Sequence, residues 1–224
     1  MRLLLVCGPY GSGTSAVAGM LANMGAIGVG PYQGTNDPRT PNAFESIAFR
    51  ATVLGLVSET TMLLKPGAAI EAALLQLKSQ IAERLPEGEM RPIFLKHPAA
   101  APIIPHICEL FDTKLIYVLR ATKDIEATRQ RRNWPNEGES ITRIIYSHMF
   151  DHLVNGRTPT TLVRYRSLIE SPARHAKELA AFAGLQCDEN ALQNAAHFVL
   201  SRPSGASATS RLQSPAPPND LETD

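Results

Sequence analysis

Residues 2–15 read Arg2-Leu-Leu-Leu-Val-Cys7-Gly8-Pro-Tyr-Gly11-Ser12-Gly13-Thr14-Ser15, and their reading decides the fold. The apolar run from Leu3 to Cys7 is unbroken and stops at glycine. That pattern suits an inner strand of a parallel sheet, covered on both faces. Gly8 to Gly13 reads as a loop. From Thr14, Val17, Met20, Leu21 and Met24 recur at helical spacing, and Gly25 supplies the stop. Strand, glycine loop and helix in this order open a nucleotide-binding α/β unit. A phosphate needs backbone N–H groups that converge without Cβ atoms in the way, and Gly11 and Gly13 allow that approach. The helix N-terminus adds unpaired donors and partial positive charge. Thr14 and Ser15 place hydroxyls at the same spot.

The stretch fits GxxxxG followed by two hydroxyl residues, but it lacks the lysine of a nucleoside-triphosphate loop. GxxxxGK[ST] becomes GxxxxGTS. That lysine serves the β- and γ-phosphates in ATPases and GTPases, so ordinary kinase chemistry loses weight.

Outward from this stretch, strands are expected at 92–96, 114–119 and 160–165. Helices are expected over 43–63, 68–85, 107–111, 124–132, 139–153, from the last strand to about Ala183, and over 188–199. Residues 28–41, rich in Gly, Pro, Asn and Asp, read as a surface loop. Alternating strands and helices imply an α/β fold: a P-loop-type three-layer domain with a central parallel sheet flanked by helices. It would cover residues 1–200. Residues 201–224, dominated by Ser, Pro and Ala, read as a disordered tail.

Of the 224 residues, 44% are apolar, which excludes a disordered chain. Lys and Arg number 22 against 21 Asp and Glu, so no broad basic field marks a nucleic-acid binder. Cys7, Cys108 and Cys187 are odd in number and form no CxxC. A disulfide framework and a cysteine zinc site are not expected; Cys7 and Cys108 read as small core residues in a reducing compartment. The first apolar run is too short for a signal peptide, and no membrane span is visible. A cytoplasmic protein is expected.

A second anion site is expected at the third long strand. Lys114-Leu-Ile-Tyr-Val-Leu-Arg120 places Arg120 at a strand's carboxyl end, the edge where open α/β sheets bind ligands. Thr128, eight residues on, falls in the second turn of the next helix. A guanidinium fork and a hydroxyl can meet there on one phosphate. Arg129, Arg131 and Arg132 spread around the same helix.

Two phosphate sites on one parallel sheet, without the lysine, resemble the sulfotransferase family of bacterial type. GPYGSGTSAVAGML is similar to the family's 5′-phosphosulfate loop, and KLIYVLRATKDIEAT to its 3′-phosphate segment. LVRYRSLIESPARHAKELAAFAGL is similar to its third block, and Asn42-Ala-Phe-Glu45 to a short segment of bacterial members. The resemblance implies 3′-phosphoadenosine 5′-phosphosulfate (PAPS) as donor, PAP as product, and a small-molecule or carbohydrate hydroxyl as acceptor. By position it places Gly11, Ser12, Gly13, Thr14 and Ser15 on the 5′-phosphosulfate, Arg120 and Thr128 on the 3′-phosphate, and Tyr165 near the adenine. The sequence departs from the family at three points. Gly11 replaces the basic residue before Ser-Gly-Thr. Arg166-Ser167 replaces an acidic pair. The late Arg-Lys-Gly loop has no counterpart nearer than Arg202.

Sulfuryl transfer to an alcohol needs a base, and a histidine suits near neutral pH. Lys96-His97 ends the second long strand on the ligand edge. His97 is expected as the base and Lys96 as a substitute for the missing loop cation. His106, His148, His152, His175 and His197 read as surface or packing residues. His148 and His152 share a helix face without a third ligand, so no metal is expected. Two alternatives stay open: a nucleotide-binding protein of this fold that no longer catalyses, motivated by Gly11, and an atypical P-loop small-molecule kinase.

Overall fold

The computed structural model describes residues 1–35, 42–134 and 138–200. Its elements in chain order begin with β1 (Arg2–Cys7), α1 (Thr14–Asn23), β2 (Ile27–Gly28), β3 (Tyr32–Gly34), β4 (Asn42–Ser46), α2 (Ile47–Leu56) and α3 (Ile70–Ala82). β5 (Ile93–Lys96) follows, then a 3-10 turn (Pro98–Ile103) that runs into α4 (Ile104–Leu110). β6 (Asp112–Leu119), α5 (Thr122–Arg131), α6 (Glu139–Asn155) and β7 (Thr160–Arg164) complete the sheet and its crossovers. α7 (Tyr165–Glu170), α8 (Pro172–Ala183) and α9 (Glu189–Leu200) close the described chain.

Five strands form one parallel sheet in the order β2-β5-β1-β6-β7. Strand alternation feeds two cores. Leu3, Leu5, Cys7, Leu95, Leu115 and Tyr117 face the core built with α2, α3, α4 and α6. Leu4, Val6, Phe94, Ile116 and Val118 face the other, built with α1, α8 and α9. The sheet is covered on both sides, which is why its inner strands are unbroken apolar runs. The three-layer α/β architecture follows the sequence reading.

The region between α1 and α2 differs from expectation. Residues 28–41 were expected as loop and 43–63 as helix. Instead β2 adds a two-residue edge strand, and β3 pairs antiparallel with β4. Helix begins only at Ile47, where Ser46 Oγ accepts the Phe49 N–H at 3.4 Å. Phe44 adopts φ 56 within an aromatic cluster of Tyr32, Phe94 and Phe198. A left-handed phenylalanine is held by such packing, and no local sequence pattern announces it. The single helix expected up to Ala183 is divided at Ser171, which leaves helical geometry before Pro172. Cys7 is fully buried and Cys108 packs against the core as expected. No described helix is long and apolar enough to cross a membrane. Arg202 and the 201–224 tail lie outside the described residues.

Candidate functional site

Parallel pairing brings the carboxyl ends of β1, β5, β6 and β7 to one edge, and the candidate residues gather there. The loop after β1 turns through Gly11 at φ +80 and Gly13 at φ +104, a region L side chains avoid. α1 then begins with no side-chain cap and no acidic residue in its first turn. Its leading N–H groups are the donors an anion needs.

Gly11 serves the site through its carbonyl. Arg120 Nη1 donates to Gly11 O at 2.7 Å and to Thr128 Oγ1 at 3.0 Å. Thr128 in turn donates to the Asp124 carbonyl. The expected 5′ and 3′ sites are therefore joined by one guanidinium. A side chain at position 11 would be strained by that φ, although its Cβ, 3.4 Å from Thr128 Cγ2, would meet Thr128 at ordinary van der Waals contact. Adding a lysine there is thus not a neutral change.

Tyr165 is the first residue of α7, and its ring packs against the loop. A Cβ on Gly13 would sit 2.1 Å from Tyr165 Cδ2. The Arg120 guanidinium stacks on the same ring, 4.7 Å from its centroid. The ring is thus wedged between the loop backbone and Arg120. Tyr146 of α6 completes the brace: its hydroxyl accepts the Arg120 N–H at 2.9 Å and donates to the Arg120 carbonyl at 2.8 Å. Ser12 is fully buried, and its hydroxyl finds no partner among the described residues.

Lys96 shares Phe94's face of the sheet, toward α1. It is 3% exposed, and Nζ donates to Ser15 Oγ at 3.3 Å, to Ala43 O at 3.3 Å and to Glu45 Oε1 at 2.5 Å. A cation therefore stands at the foot of α1, delivered by a strand instead of the loop. Burial pushes the Glu45 carboxyl up, but Lys96, His97 and Arg50 together hold it below the usual carboxylate range. Glu45 is ionised, and its side chain is 14% exposed.

His97 points into the same cluster, 1% exposed. Its Nδ1 accepts the Ala99 N–H at 3.2 Å, capping the 3-10 turn. In the neutral ring this puts the proton on Nε2, which lies 3.9 Å from Glu45 Oε2. Burial lowers its pKa to about 4 despite Glu45. The ring stands neutral, its Nδ1 taken up by Ala99 and its buried Nε2 without a hydrogen-bond partner among the described residues, whereas the sequence reading expected a proton acceptor for the substrate. Tyr10 packs edge-on to His97, with centroids 6.2 Å apart, and donates to Glu59 Oε1 at 2.7 Å, pinning the phosphate loop to the α2 side.

Glu45 and Tyr146 were not assigned roles from sequence. Glu45 lies in the quoted Asn42–Glu45 segment, but its meaning depends on the β3–β4 hairpin that carries it to Lys96. The remaining histidines stand apart: His148 is 3.3 Å from the Met62 carbonyl, and His175 is 2.9 Å from Ser167 Oγ. Among the described residues, no group of three or more His, Cys, Asp or Glu could hold a metal ion.

No protein-family model and no curated protein matches the sequence. Solved structures do match. The sulfotransferase domain of the Synechococcus PCC 7002 olefin synthase is 21% identical and covers 87% of this chain and 77% of that one, with a TM-score of 0.54. Sulfotransferase STF9 from Mycobacterium avium is 14% identical over 91% of this chain and 69% of that one, with a TM-score of 0.62. Mouse sulfotransferase SULT7A1, complexed with PAP, is 16% identical over 88% of this chain, with a TM-score of 0.51; the alignment spans 63% of the mouse protein, under two thirds. The fold is that of the sulfotransferases.

Proposed function

We propose that the chain is a sulfotransferase moving a sulfuryl group from PAPS to an acceptor hydroxyl, with release of PAP. The observation that carries the reading is the junction at Arg120. One guanidinium ties the glycine loop to Thr128, so the two anion sites lie within reach of a single nucleotide phosphorylated at both ends. The residues present fit such a ligand. The loop is open at Gly11 and Gly13, the α1 N-terminus is uncapped, and a cation lies beside Ser15.

When bound, the donor supplies a sulfuryl group whose bond to the 5′-phosphate breaks as the bond to the acceptor oxygen forms. The α1 amides with Thr14 and Ser15 hold the anionic end. Lys96 substitutes for the absent loop cation and stabilises charge on the leaving oxygen, a contact worth about 3–4 kcal/mol in the transition state. Glu45 is the more accessible member of the buried cluster, and its Oε2 accepts the acceptor's proton. His97 becomes a positioning residue, its Nε2 lying 3.9 Å from Glu45 Oε2. The acceptor is a small-molecule or carbohydrate hydroxyl, with its chemical identity open.

Calorimetry with PAP tests the binding step. The intact protein binds it, and Arg120→Ala weakens binding by about tenfold or more, because a charge-assisted contact is lost. Equal binding after the substitution rejects the reading. Turnover of labelled PAPS tests the chemistry: Lys96→Ala slows it by about a hundredfold. A second reading, a binder without catalysis, is favoured by Gly11 and by Glu45 neutralising Lys96. Turnover by the native protein excludes it.

A further inference from the structure

Away from the phosphate loop, α7 and α8 bring four polar side chains into a closed ring. Ser167 Oγ lies 2.9 Å from His175 Nε2, and His175 Nδ1 lies 3.3 Å from Glu178 Oε2. Glu178 Oε1 lies 3.6 Å from Arg174 Nε, and Arg174 Nη2 donates back to Ser167 Oγ at 2.9 Å. The break between the helices makes the ring. In one continuous helix, residues 167 and 175 would stand about 12 Å apart along the axis. Ser171 leaves helical geometry at φ -143 and ψ 60, and Pro172 starts α8, so the chain turns and brings residue 175 back onto residue 167.

The chemistry of the donors then fixes the protons. A guanidinium only donates, so Ser167 Oγ accepts from Arg174 and turns its own O–H to His175 Nε2. With Nε2 accepting, the neutral ring carries its proton on Nδ1, facing Glu178. The other tautomer would set a bare Nδ1 lone pair against a carboxylate. Burial lowers the His175 pKa, and Arg174 adds to this against the pull of Glu178, so the ring is neutral and open to a proton. His175 is buried, Ser167 is half-buried, and Arg174 and Glu178 are exposed. Hydroxyl, imidazole and carboxylate in series, in this tautomer, are the parts of a base-activated nucleophile.

We infer that Ser167 is a nucleophile of this chain, with His175 as its base, and that it takes the acyl group of small activated esters. Oγ attacks the carbonyl carbon, and its proton passes to His175 Nε2. The bond from that carbon to the alcohol oxygen breaks, and the leaving alcohol takes the proton from His175. The products are acyl-Ser167 and a free alcohol. Glu178 and Arg174 are positioning residues, holding the tautomer and the direction of the hydroxyl. Half-burial between two helices limits the ester to a small one. Tyr165, Arg166, Ile169 and Glu170 of α7 line a cavity of about 760 Å³ beside Arg120, and Ser167 is not among its lining residues. The reaction is therefore independent of the proposed sulfuryl transfer.

Incubation of the full chain with p-nitrophenyl acetate, read by nitrophenolate release and by peptide mass mapping, tests this. The native protein acquires an acetyl group on Ser167, and Ser167→Ala loses it. His175→Gln slows its formation by about a hundredfold or more. Glu178→Gln, at an exposed position, slows it by about tenfold or more and keeps the test open if His175→Gln does not fold. Arg174→Gln also slows it, and Arg174→Lys restores part of the rate. Thermal melting of each variant reports the fold. A native protein without acetyl on Ser167, or one acetylated only on lysines and cysteines, overturns the inference. An unchanged rate in folded His175→Gln, or in Glu178→Gln, also overturns it, since the ring would then only pack.

Discussion

His97 shows what burial does to a residue whose type alone suggests catalysis. Its ring caps Ala99 and is held neutral, with a pKa of about 4 against an ordinary 6.5. The unfolded chain therefore binds a proton between those values while the folded chain does not, so stability falls as pH drops from 6.5 to about 4. The loss reaches about 3 kcal/mol. Glu45, whose carboxyl is held low, adds a loss in the same direction at more acidic pH. Urea midpoints at pH 7 and pH 5 check this: His97→Asn keeps an oxygen for Ala99 and loses the histidine share of the pH dependence. That Arg120 and Thr128 meet was legible from sequence, because a strand end and a helical offset fix where they point. The proton state of His97 was not, because it depends on one N–H two residues ahead and on Glu45, distant in the chain.

At the level of elements, Tyr146 ties α6 to the end of β6 by bonding both backbone groups of Arg120. Tyr146→Phe leaves those groups partly unsatisfied and costs about 1–2 kcal/mol. For a chain of this size that lowers Tm by about 2–4 °C per kcal/mol, readable by calorimetric melting, with weaker PAP binding alongside as Arg120 loosens. The inner strands were readable because burial on both faces writes continuous apolar runs such as Leu3–Cys7. The β2–β4 region was not. Two residues of β2 make no periodic signal, and β4 contains a phenylalanine at φ 56 that only its aromatic neighbours explain. The helix expected after residue 165 and up to about Ala183 starts one residue early, at Tyr165, and is broken at Ser171, although Pro172 marks the place.

Across the whole molecule, the candidate site is built from four strand ends and braced from α1, α5, α6 and α7, so a ligand that engages it draws on both cores. PAP at a hundred times its Kd stabilises the native state by about 2.7 kcal/mol. Thermal melting should then shift upward by about 5–10 °C, and adenosine at the same concentration should shift it far less. The source of the cation at the foot of α1 has its own consequence. Lys96 arrives there through the pairing of Val6 with Lys96 between β1 and β5. A chimera that transplants only residues 8–15 into another scaffold would carry the cradle and leave its electrostatic partner behind. Conversely, the segment 8–15 is relieved of supplying charge and is free to keep glycine at position 11, where the backbone turns through φ +80.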